Sequence, residues 1–117
     1  MLYVVEDDDA VRASLLAILE ANGFEAKGFA NGREFLDALD GHDGSLLILD
    51  LQLPDMRGDQ VLIAMNEMGH DIKTIVVTGG ASNEIKRRAK EAGAVAIFDK
   101  PVQNRLLIQK IREFLEN

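Results

Sequence analysis

Acidic, hydroxyl and amino side chains directly follow four apolar stretches of this 117-residue sequence. These residues are Glu6, Asp7, Asp50, Thr78 and Lys100. Carboxylates brought together raise one another's pKa unless a cation intervenes, and Mg²⁺ is a hard cation usually held by one or two carboxylates plus water. Beside such a cation, an aspartate can act as a nucleophile and form a covalent phosphoryl intermediate. The pattern therefore predicts magnesium-dependent phosphoryl transfer if the fold brings these side chains together.

Asp50 ends the apolar stretch 45–49, and Pro54 follows four residues later. Four large aliphatic residues in succession suit a strand that is buried on both faces, although a short apolar run alone does not exclude a helix. In open α/β sheets, ligands bind outside the carboxyl ends of the strands. Asp50 is therefore expected to be placed for chemistry rather than for packing.

Apolar strand patterns alternate with helical patterns along the whole chain. The predicted strands cover 2–5, 24–29, 45–49, 74–78 and 95–99, and the predicted helices cover 10–22, 32–41, 59–69, 82–92 and 102–116. This alternation predicts one α/β domain, a parallel sheet with right-handed crossovers and with helices on both faces. The carboxyl ends of all strands would then meet at one edge of the sheet.

Several side chains define the expected helices. Asp8 or Asp9 would cap the first helix, Asn31 the second and Ser82 or Asn83 the fourth. The inward-facing residues are expected to be Val11, Leu15, Ile18 and Leu19 in the first helix, Val61, Leu62, Met65 and Met68 in the third, and Leu107, Ile111 and Phe114 in the fifth. The fourth helix has only Ile85, Ala89 and Ala92 for this purpose and should be weakly held. Leu106, Ile108 and Leu115 would either widen the buried stripe of the last helix or form a partner surface.

Phosphoryl transfer requires in-line positioning and neutralisation of the phosphoryl oxygens. Lys100 would supply an ammonium and Thr78 a hydrogen-bond donor, and the two glycines after Thr78 leave the approach open. Taken alone, Thr78 could be an ordinary β-branched residue at the end of a strand, and Lys100 could be an ordinary surface lysine. His42 and His70 lie in predicted loops away from this edge, so a histidine-bound transition metal is not expected.

Composition narrows the classes of function. The sequence has no cysteine, which excludes disulfides, thiolate metal sites and a cysteine nucleophile. The N-terminus lacks the basic and apolar regions of a signal peptide, and no run reaches membrane-spanning length, so we expect a cytoplasmic protein without a membrane contact. The net charge of -7 opposes direct binding of nucleic acid and favours cations or basic protein surfaces as partners.

Four motifs together resemble the receiver domain of bacterial two-component response regulators. They are VVEDD at 4–8, LILDLQLPDMRG at 47–58, IVVTG at 75–79 and FDKP at 98–101. Each motif alone is weak, but they occur in the family's order and at its intervals over the whole chain, 1–117. The resemblance implies a flavodoxin-like sheet of strand order 2-1-3-4-5 with five helices.

The resemblance also implies roles for individual residues. Asp50 would be the phosphoacceptor, and Thr78 and Lys100 would contact the phosphoryl group. Asp7, Asp50 and the main-chain carbonyl of Gln52 would bind Mg²⁺ directly, and Glu6 would act through water. The Lys100–Pro101 peptide would be cis.

The same resemblance implies partners. A sensor histidine kinase or a phosphotransfer protein would donate the phosphoryl group, and the surface of the last two helices would change, with a phosphorylation-dependent homodimer as one outcome. The domain would be a signalling switch that promotes only its own phosphorylation and dephosphorylation.

Several alternatives stay open at this stage. The acidic pair could be read as Asp7–Asp8, although a pair directly after the strand selects Glu6–Asp7. Ile97 stands where the family often has an aromatic residue, which puts an aromatic swing coupled to Thr78 in doubt, and Phe98 should face the other side of the strand.

Two other functions compete with a signalling switch. A magnesium-dependent phosphohydrolase acting through an aspartyl phosphate would usually need a second acid two residues after its nucleophile, where this chain has Gln52, which cannot transfer a proton. A flavin-binding electron carrier would need a phosphate loop after the first strand, where four acidic residues repel phosphate.

Overall fold

Strands and helices alternate strictly along the chain. The computed structural model describes residues 1–41 and 46–115, and these ranges contain five strands and five helices. They are β1 (Leu2–Val5), α1 (Asp9–Ala21), β2 (Ala26–Phe29), α2 (Gly32–Ala38), β3 (Leu46–Leu49), α3 (Gly58–Glu67), β4 (Lys73–Thr78), α4 (Asn83–Glu91), β5 (Ala94–Asp99) and α5 (Asn104–Leu115). The predictions for His42, for Ser45 as the strand start and for Glu116 as the helix end fall outside the described residues.

The strands form one parallel sheet in the order β2-β1-β3-β4-β5, which confirms the expected topology. Val5 is in register with Leu49, and Leu49 with Val76. Because the three central strands are aligned in this way, the residues that follow them come together at one edge of the sheet.

The sheet is buried on both faces because its apolar side chains alternate between two cores. Tyr3, Val5, Leu47, Leu49 and Val76 face a cluster that includes residues of α2, α3 and α4. Leu2, Val4, Leu46, Ile48 and Ile75 face a second cluster that includes residues of α1 and α5. Period-two alternation with aliphatic residues on both sides is what a covered parallel sheet requires.

Three expected caps are present at the helix starts. The side chains of Asp8, Asn31 and Ser82 accept hydrogen bonds from the backbone N–H groups three residues on, at 3.0, 2.9 and 3.2 Å. Each bond satisfies one of the backbone donors that a helix start leaves without an intrahelical partner.

Some boundaries and orientations differ from the predictions. Val11 and Met68 were expected to face inward, but they are 41% and 49% exposed. Met68 lies just beyond the last residue of α3, and Val11 lies in the first turn of α1 and lines an open groove opposite Pro101. β2 begins at Ala26 rather than at residue 24.

Two helices are shorter than predicted because an apolar residue next to each of them packs against the core from outside the helix. α2 ends at Ala38 instead of Gly41, and Leu39 is extended and packs against the first cluster. α5 begins at Asn104, and Val102 packs against the second cluster from outside the helix. In α5, Ile108 is buried and Leu115 packs against the same cluster, so both widen the buried stripe, whereas Leu106 is 38% exposed.

None of the helices in the described part of the chain is both long and apolar enough to cross a membrane.

α4 is held by little buried surface, as expected. Ala89 is the one residue of this helix that is fully buried among those described, while Ile85 and Ala92 are partly buried. Polar contacts supplement this packing: Lys86 pairs with Asp99 of β5, and the Asn66 side chain of α3 donates to the main-chain oxygen of Ala92 at 2.8 Å. Hydrophobic stabilisation scales with buried apolar area, so α4 is the helix most easily displaced from the sheet.

We expect the backbone amides of α4 to exchange with deuterium roughly tenfold faster than those of α3, because the fraction of opened molecules rises as buried area falls. Hydrogen exchange followed by NMR would measure both helices in one sample. α3 is the internal control, since it buries Val61, Leu62 and Met65. Equal protection of the two helices would contradict weak anchoring of α4.

Candidate functional site

The ends of β1 and β3 place two carboxylates side by side. The backbone N–H of Asp50 donates to the main-chain oxygen of Val5 at 3.1 Å, and the backbone N–H of Glu6 donates to Phe29 at 3.0 Å. The chain therefore keeps its strand hydrogen bonds through the first residue after each strand. Glu6 and Asp50 are only 4% and 5% exposed, whereas Asp7 is exposed. Two buried carboxylates require a cationic partner.

Lys100 supplies that cation. Its Nζ lies 2.8 Å from Oδ2 of Asp50 and 3.0 and 3.1 Å from the two carboxylate oxygens of Glu6. The backbone N–H of Lys100 donates to the main-chain oxygen of Thr78 at 2.8 Å, which ties the end of β5 to the end of β4. The Lys100–Pro101 peptide is cis, as the family resemblance implied.

Thr78 and the backbone of Gln52 complete the contacts of Asp50. The fully buried hydroxyl of Thr78 donates to Oδ1 of Asp50 at 2.9 Å. The backbone N–H of Gln52 donates to the same oxygen at 3.0 Å. Asp50 therefore accepts hydrogen bonds from three residues, while its carboxylate is almost closed to bulk solvent.

These contacts separate the pKa values of the two buried carboxyls. Burial, together with a hydrogen bond to Asp50, raises the pKa of Glu6 from 4.5 to about 7 despite the nearby ammonium of Lys100. Burial also acts to raise the pKa of Asp50, but the interaction with the neighbouring carboxyl of Glu6 and the hydrogen bonds from Gln52, Lys100 and Thr78 outweigh it and hold that pKa below its usual value. Asp50 is therefore the more acidic member of the pair and the one that ionises first.

Lys100 stays protonated in this setting. Burial by itself would lower the pKa of its amine, but the hydrogen bonds to Asp50 and Glu6 raise the pKa above the ordinary value. The site therefore holds a permanent ammonium beside an ionised aspartate.

The donor set fits a hard divalent cation. Glu6, Asp7 and Asp50 each offer an oxygen, and these oxygens lie within 4.8 Å of one another. This is the one group of three potential metal-ligating side chains found over residues 1–41 and 46–115. Oxygen donors of this kind suit Mg²⁺ rather than zinc or copper, which favour imidazole and thiolate ligands.

The comparison with known families agrees with this geometry. The sequence pattern of the family described as "Response regulator receiver domain" matches residues 2–112. The chain belongs to this family. It is a receiver domain, a signalling domain of response regulators, and a phosphohydrolase is not favoured.

The chain is also similar in sequence to individual response regulators. The chain is 31% identical over 116 residues to the transcriptional regulatory protein FixJ of Rhizobium meliloti (strain 1021), an alignment that covers 99% of this chain and 57% of FixJ. The response regulator protein TmoT of Ectopseudomonas mendocina is also 31% identical, with 53% of its length covered. The chain therefore spans little more than half of the length of these curated relatives.

A solved structure shows the same fold in detail. A CheY-like receiver domain from Methanospirillum hungatei JF-1 superposes with a TM-score of 0.93 and 36% identity, covering 98% of this chain and 92% of that one. The crystal structure of FixJ-N gives a TM-score of 0.89 at 31% identity, with 99% of this chain and 93% of that chain covered. These values confirm the flavodoxin-like arrangement of the receiver domain.

The structure brings Glu6, Asp7, Asp50, Thr78 and Lys100 to one place, as the sequence pattern predicted. Gln52 also lies there through its backbone N–H, whereas its predicted role as a carbonyl ligand stays a prediction. Asp8 caps α1, which agrees with the choice of Glu6–Asp7 as the acidic pair.

Three residues near the site have a supporting role that the sequence analysis did not predict. Arg12 of α1 donates to the main-chain oxygen of Glu6 at 2.8 Å. Gly58 leaves room for the main chain of β3, because a Cβ there would lie 2.6 Å from the main-chain oxygen of Asp50. Asp55 accepts two hydrogen bonds from the backbone of α2. Of these three residues, only Gly58 could have been singled out from the sequence, because it is a glycine that stands eight residues after the candidate nucleophile Asp50.

Ile97 and Phe98 face opposite sides of β5, as predicted. Ile97 packs against the cluster that contains the residues of α4, and Phe98 packs against the cluster that contains those of α5. The position next to α4 is therefore occupied by a branched aliphatic side chain.

In metal-free protein kept in EDTA, the free energy of unfolding should fall as pH rises from about 4.5 to about 7. The folded state holds a proton on Glu6 that the unfolded state has lost, so stability from this group is complete below 4.5 and disappears above 7. We expect a loss of about 1–2 kcal/mol, reduced from the full effect by coupling to Asp50. The lowered pKa of Asp50 acts only below its ordinary value of 3.8.

Urea unfolding across this pH range would measure the effect. Glu6→Gln should remove most of the pH dependence, because the amide cannot ionise. Glu20→Gln, at an exposed position of α1, is the control and should keep the slope of the unmodified protein. A Glu6→Gln protein with the full slope would assign the dependence to another group.

Proposed function

We propose that this receiver domain is a magnesium-dependent phosphoacceptor switch in which Asp50 takes a phosphoryl group from a histidine kinase or a phosphotransfer protein. The observation that supports this most strongly is the position of Asp50, which is buried, ionised and in contact with both Thr78 and Lys100. A carboxylate that served only packing would not need three hydrogen-bonding partners and two further acids beside it.

The reaction would transfer one phosphoryl group between two nucleophiles. A carboxylate oxygen of Asp50 would attack phosphorus while the bond from phosphorus to the donor's histidine nitrogen breaks, and that nitrogen would keep the electron pair. The product is an acyl phosphate on Asp50. The ionised state of Asp50 makes a general base unnecessary, since there is no proton to remove from the nucleophile.

Glu6, Asp7, Asp50 and the main-chain carbonyl of Gln52 are the residues that would hold Mg²⁺, with Glu6 acting through water. Bound Mg²⁺ would neutralise charge on the transferred phosphoryl group. Lys100 would move from its place between Glu6 and Asp50 to a phosphoryl oxygen, since it already lies 2.8 Å from the acceptor. A cation bound beside Glu6 would lower the raised pKa of this carboxyl again and so favour its ionised form.

The switch would work through Thr78 and α4. The Thr78 hydroxyl now donates to Asp50, and after phosphorylation it would donate to a phosphoryl oxygen instead. Thr78 also accepts the backbone N–H of Lys100 through its main-chain oxygen, so a shift at the end of β4 reaches β5 directly. α4 is weakly anchored and follows β4 in the chain, which makes it the element that can change position at low cost.

The output of the switch would be carried by α4, β5 and α5, either through another protein or through a phosphorylation-dependent homodimer. The domain would act on no external substrate and would not bind nucleic acid directly, consistent with its net charge of -7.

Asp50→Asn should abolish phosphorylation by acetyl phosphate in the presence of Mg²⁺, because the amide is not a nucleophile. Mass spectrometry of the intact protein would detect the added phosphoryl group. Asp71→Asn removes the same charge from an exposed position before β4 and should be labelled normally. Undiminished labelling of Asp50→Asn would reject Asp50 as the acceptor.

Thr78→Ala should still be labelled at Asp50 but should lose most of the conformational response, because the removed hydroxyl carries about 1 kcal/mol of hydrogen bonding on which the shift of β4 depends. NMR shifts of α4 and β5 amides on adding beryllofluoride and Mg²⁺ would report this response. Thr78→Ser should restore it. Thr74→Ala, also buried in β4 but bonded to Ile72, is the matched control and should respond fully. A full response from Thr78→Ala would exclude the hydroxyl as the link.

A further inference from the structure

The loop between β3 and α3 is attached to a different helix through one carboxylate. Oδ1 of Asp55 accepts the backbone N–H of Gly32 at 3.0 Å, and Oδ2 accepts the backbone N–H of Arg33 at 2.8 Å. Gly32 and Arg33 are the first two residues of α2 and lie more than twenty positions earlier in the chain. This contact lies outside the cluster of Glu6, Asp50, Thr78 and Lys100.

The attached loop is the one that carries Gln52. It leaves β3 at Asp50 and enters α3 at Gly58, and it is closed at its base by a backbone hydrogen bond from Gly58 to Leu51 of 2.9 Å. Gln52 and Arg57 form an isolated antiparallel bridge just above this base. The two bonds of Asp55 hold the far end of the same loop.

Packing reinforces this second attachment. Met56 is partly buried in the first core cluster and lies so close to Gly32 that a Cβ on the glycine would come within 2.6 Å of the Met56 sulfur. Gly32 therefore permits the approach that lets Asp55 reach the N–H groups of α2. Hydrogen bonds from backbone N–H groups to a carboxylate are charge-assisted and stronger than neutral ones.

A loop held at both its base and its tip has few conformations open to the backbone between them. Gln52 lies in that part, and its N–H group is already committed to Asp50. The orientation of its peptide groups, and hence of its main-chain oxygen, is fixed by the same frame.

We propose that Asp55 is a positioning residue for the magnesium site, holding the loop against the start of α2 so that the main chain of Gln52 is pre-arranged as a ligand. The inference rests on the proposed function, because it needs Mg²⁺ at Glu6, Asp7 and Asp50. Asp55 touches neither the metal nor the phosphoryl group in this scheme and acts through the backbone.

The test measures the Mg²⁺ dependence of labelling by acetyl phosphate. Asp55→Ala should raise the Mg²⁺ concentration for half-maximal rate about three- to tenfold, at or below the effect typical of direct outer-shell partners of a ligand. The rate at saturating Mg²⁺ should stay within about twofold, because Asp50, Thr78 and Lys100 are unchanged. An NMR titration with Mg²⁺ alone should give the same loss of affinity without any reaction.

Two variants separate hydrogen bonding from charge. Asp55→Asn removes the same charge as Asp55→Ala but keeps one acceptor oxygen, so its loss of Mg²⁺ affinity should be smaller than that of Asp55→Ala but still measurable. If Asp55→Ala does not fold, unchanged affinity in Asp55→Asn overturns the inference. Asp37→Asn removes a carboxylate from the exposed side of α2, where the nearest cation is Arg33 at 3.9 Å, and should bind Mg²⁺ normally.

Each contrary result has a distinct meaning. Equal losses in Asp55→Ala and Asp55→Asn would overturn positioning in favour of charge, and an affinity for Mg²⁺ unchanged in Asp55→Ala would overturn the inference alone. A lower saturating rate with unchanged half-saturation would also overturn it. Failure of the unmodified protein to bind Mg²⁺ would overturn the proposed function, and this inference with it.

Discussion

The burial of two carboxylates around one ammonium is the constraint on which the rest of the structure depends. Glu6 and Asp50 are almost fully buried, and Lys100 contacts both. Such a group is costly, because each charge has lost most of its hydration and one cation cannot compensate two anions. The pKa of Glu6 is raised to about 7, so below this pH a proton on Glu6 offsets one of the charges. A bound cation could offset the same excess of negative charge in place of the proton.

The parallel sheet brings the charged residues together once its strands have paired. Parallel strands bring the residues that follow them to one edge, and the register of β1, β3 and β4 sets them at the same height. The apolar residues of those strands face two separate cores and form the rigid base. The charged edge is therefore supported by the most buried part of the molecule, while α4 is attached by one small buried side chain, two partly buried ones and a few polar contacts.

The sequence alone was sufficient for the fold and for most of the site because both depend on local patterns. Apolar runs, caps and glycines are readable one segment at a time, and a polar residue directly after a strand is marked by its position. Contacts that join distant segments were not readable. Asp55 bonding to Gly32, Arg12 bonding to the backbone of Glu6 and the exposure of Met68 depend on how helices lie relative to one another, which periodicity does not specify.

The residues of the site fall into two groups, those proposed to contact the phosphoryl group and those that support them. In the proposed phosphoryl transfer, Asp50, Thr78 and Lys100 would contact the reacting group, so substitutions there would affect the reaction or its conformational response directly. The supports around them are less constrained. Ile97 packs beside α4 as part of the core, and Asp55 holds the loop of Gln52 against α2 through two backbone N–H groups, an approach that the missing side chain of Gly32 permits. Substitutions at such supports would leave the reacting groups in place, so we expect them to alter the cation affinity or the movement of α4 rather than to remove phosphorylation.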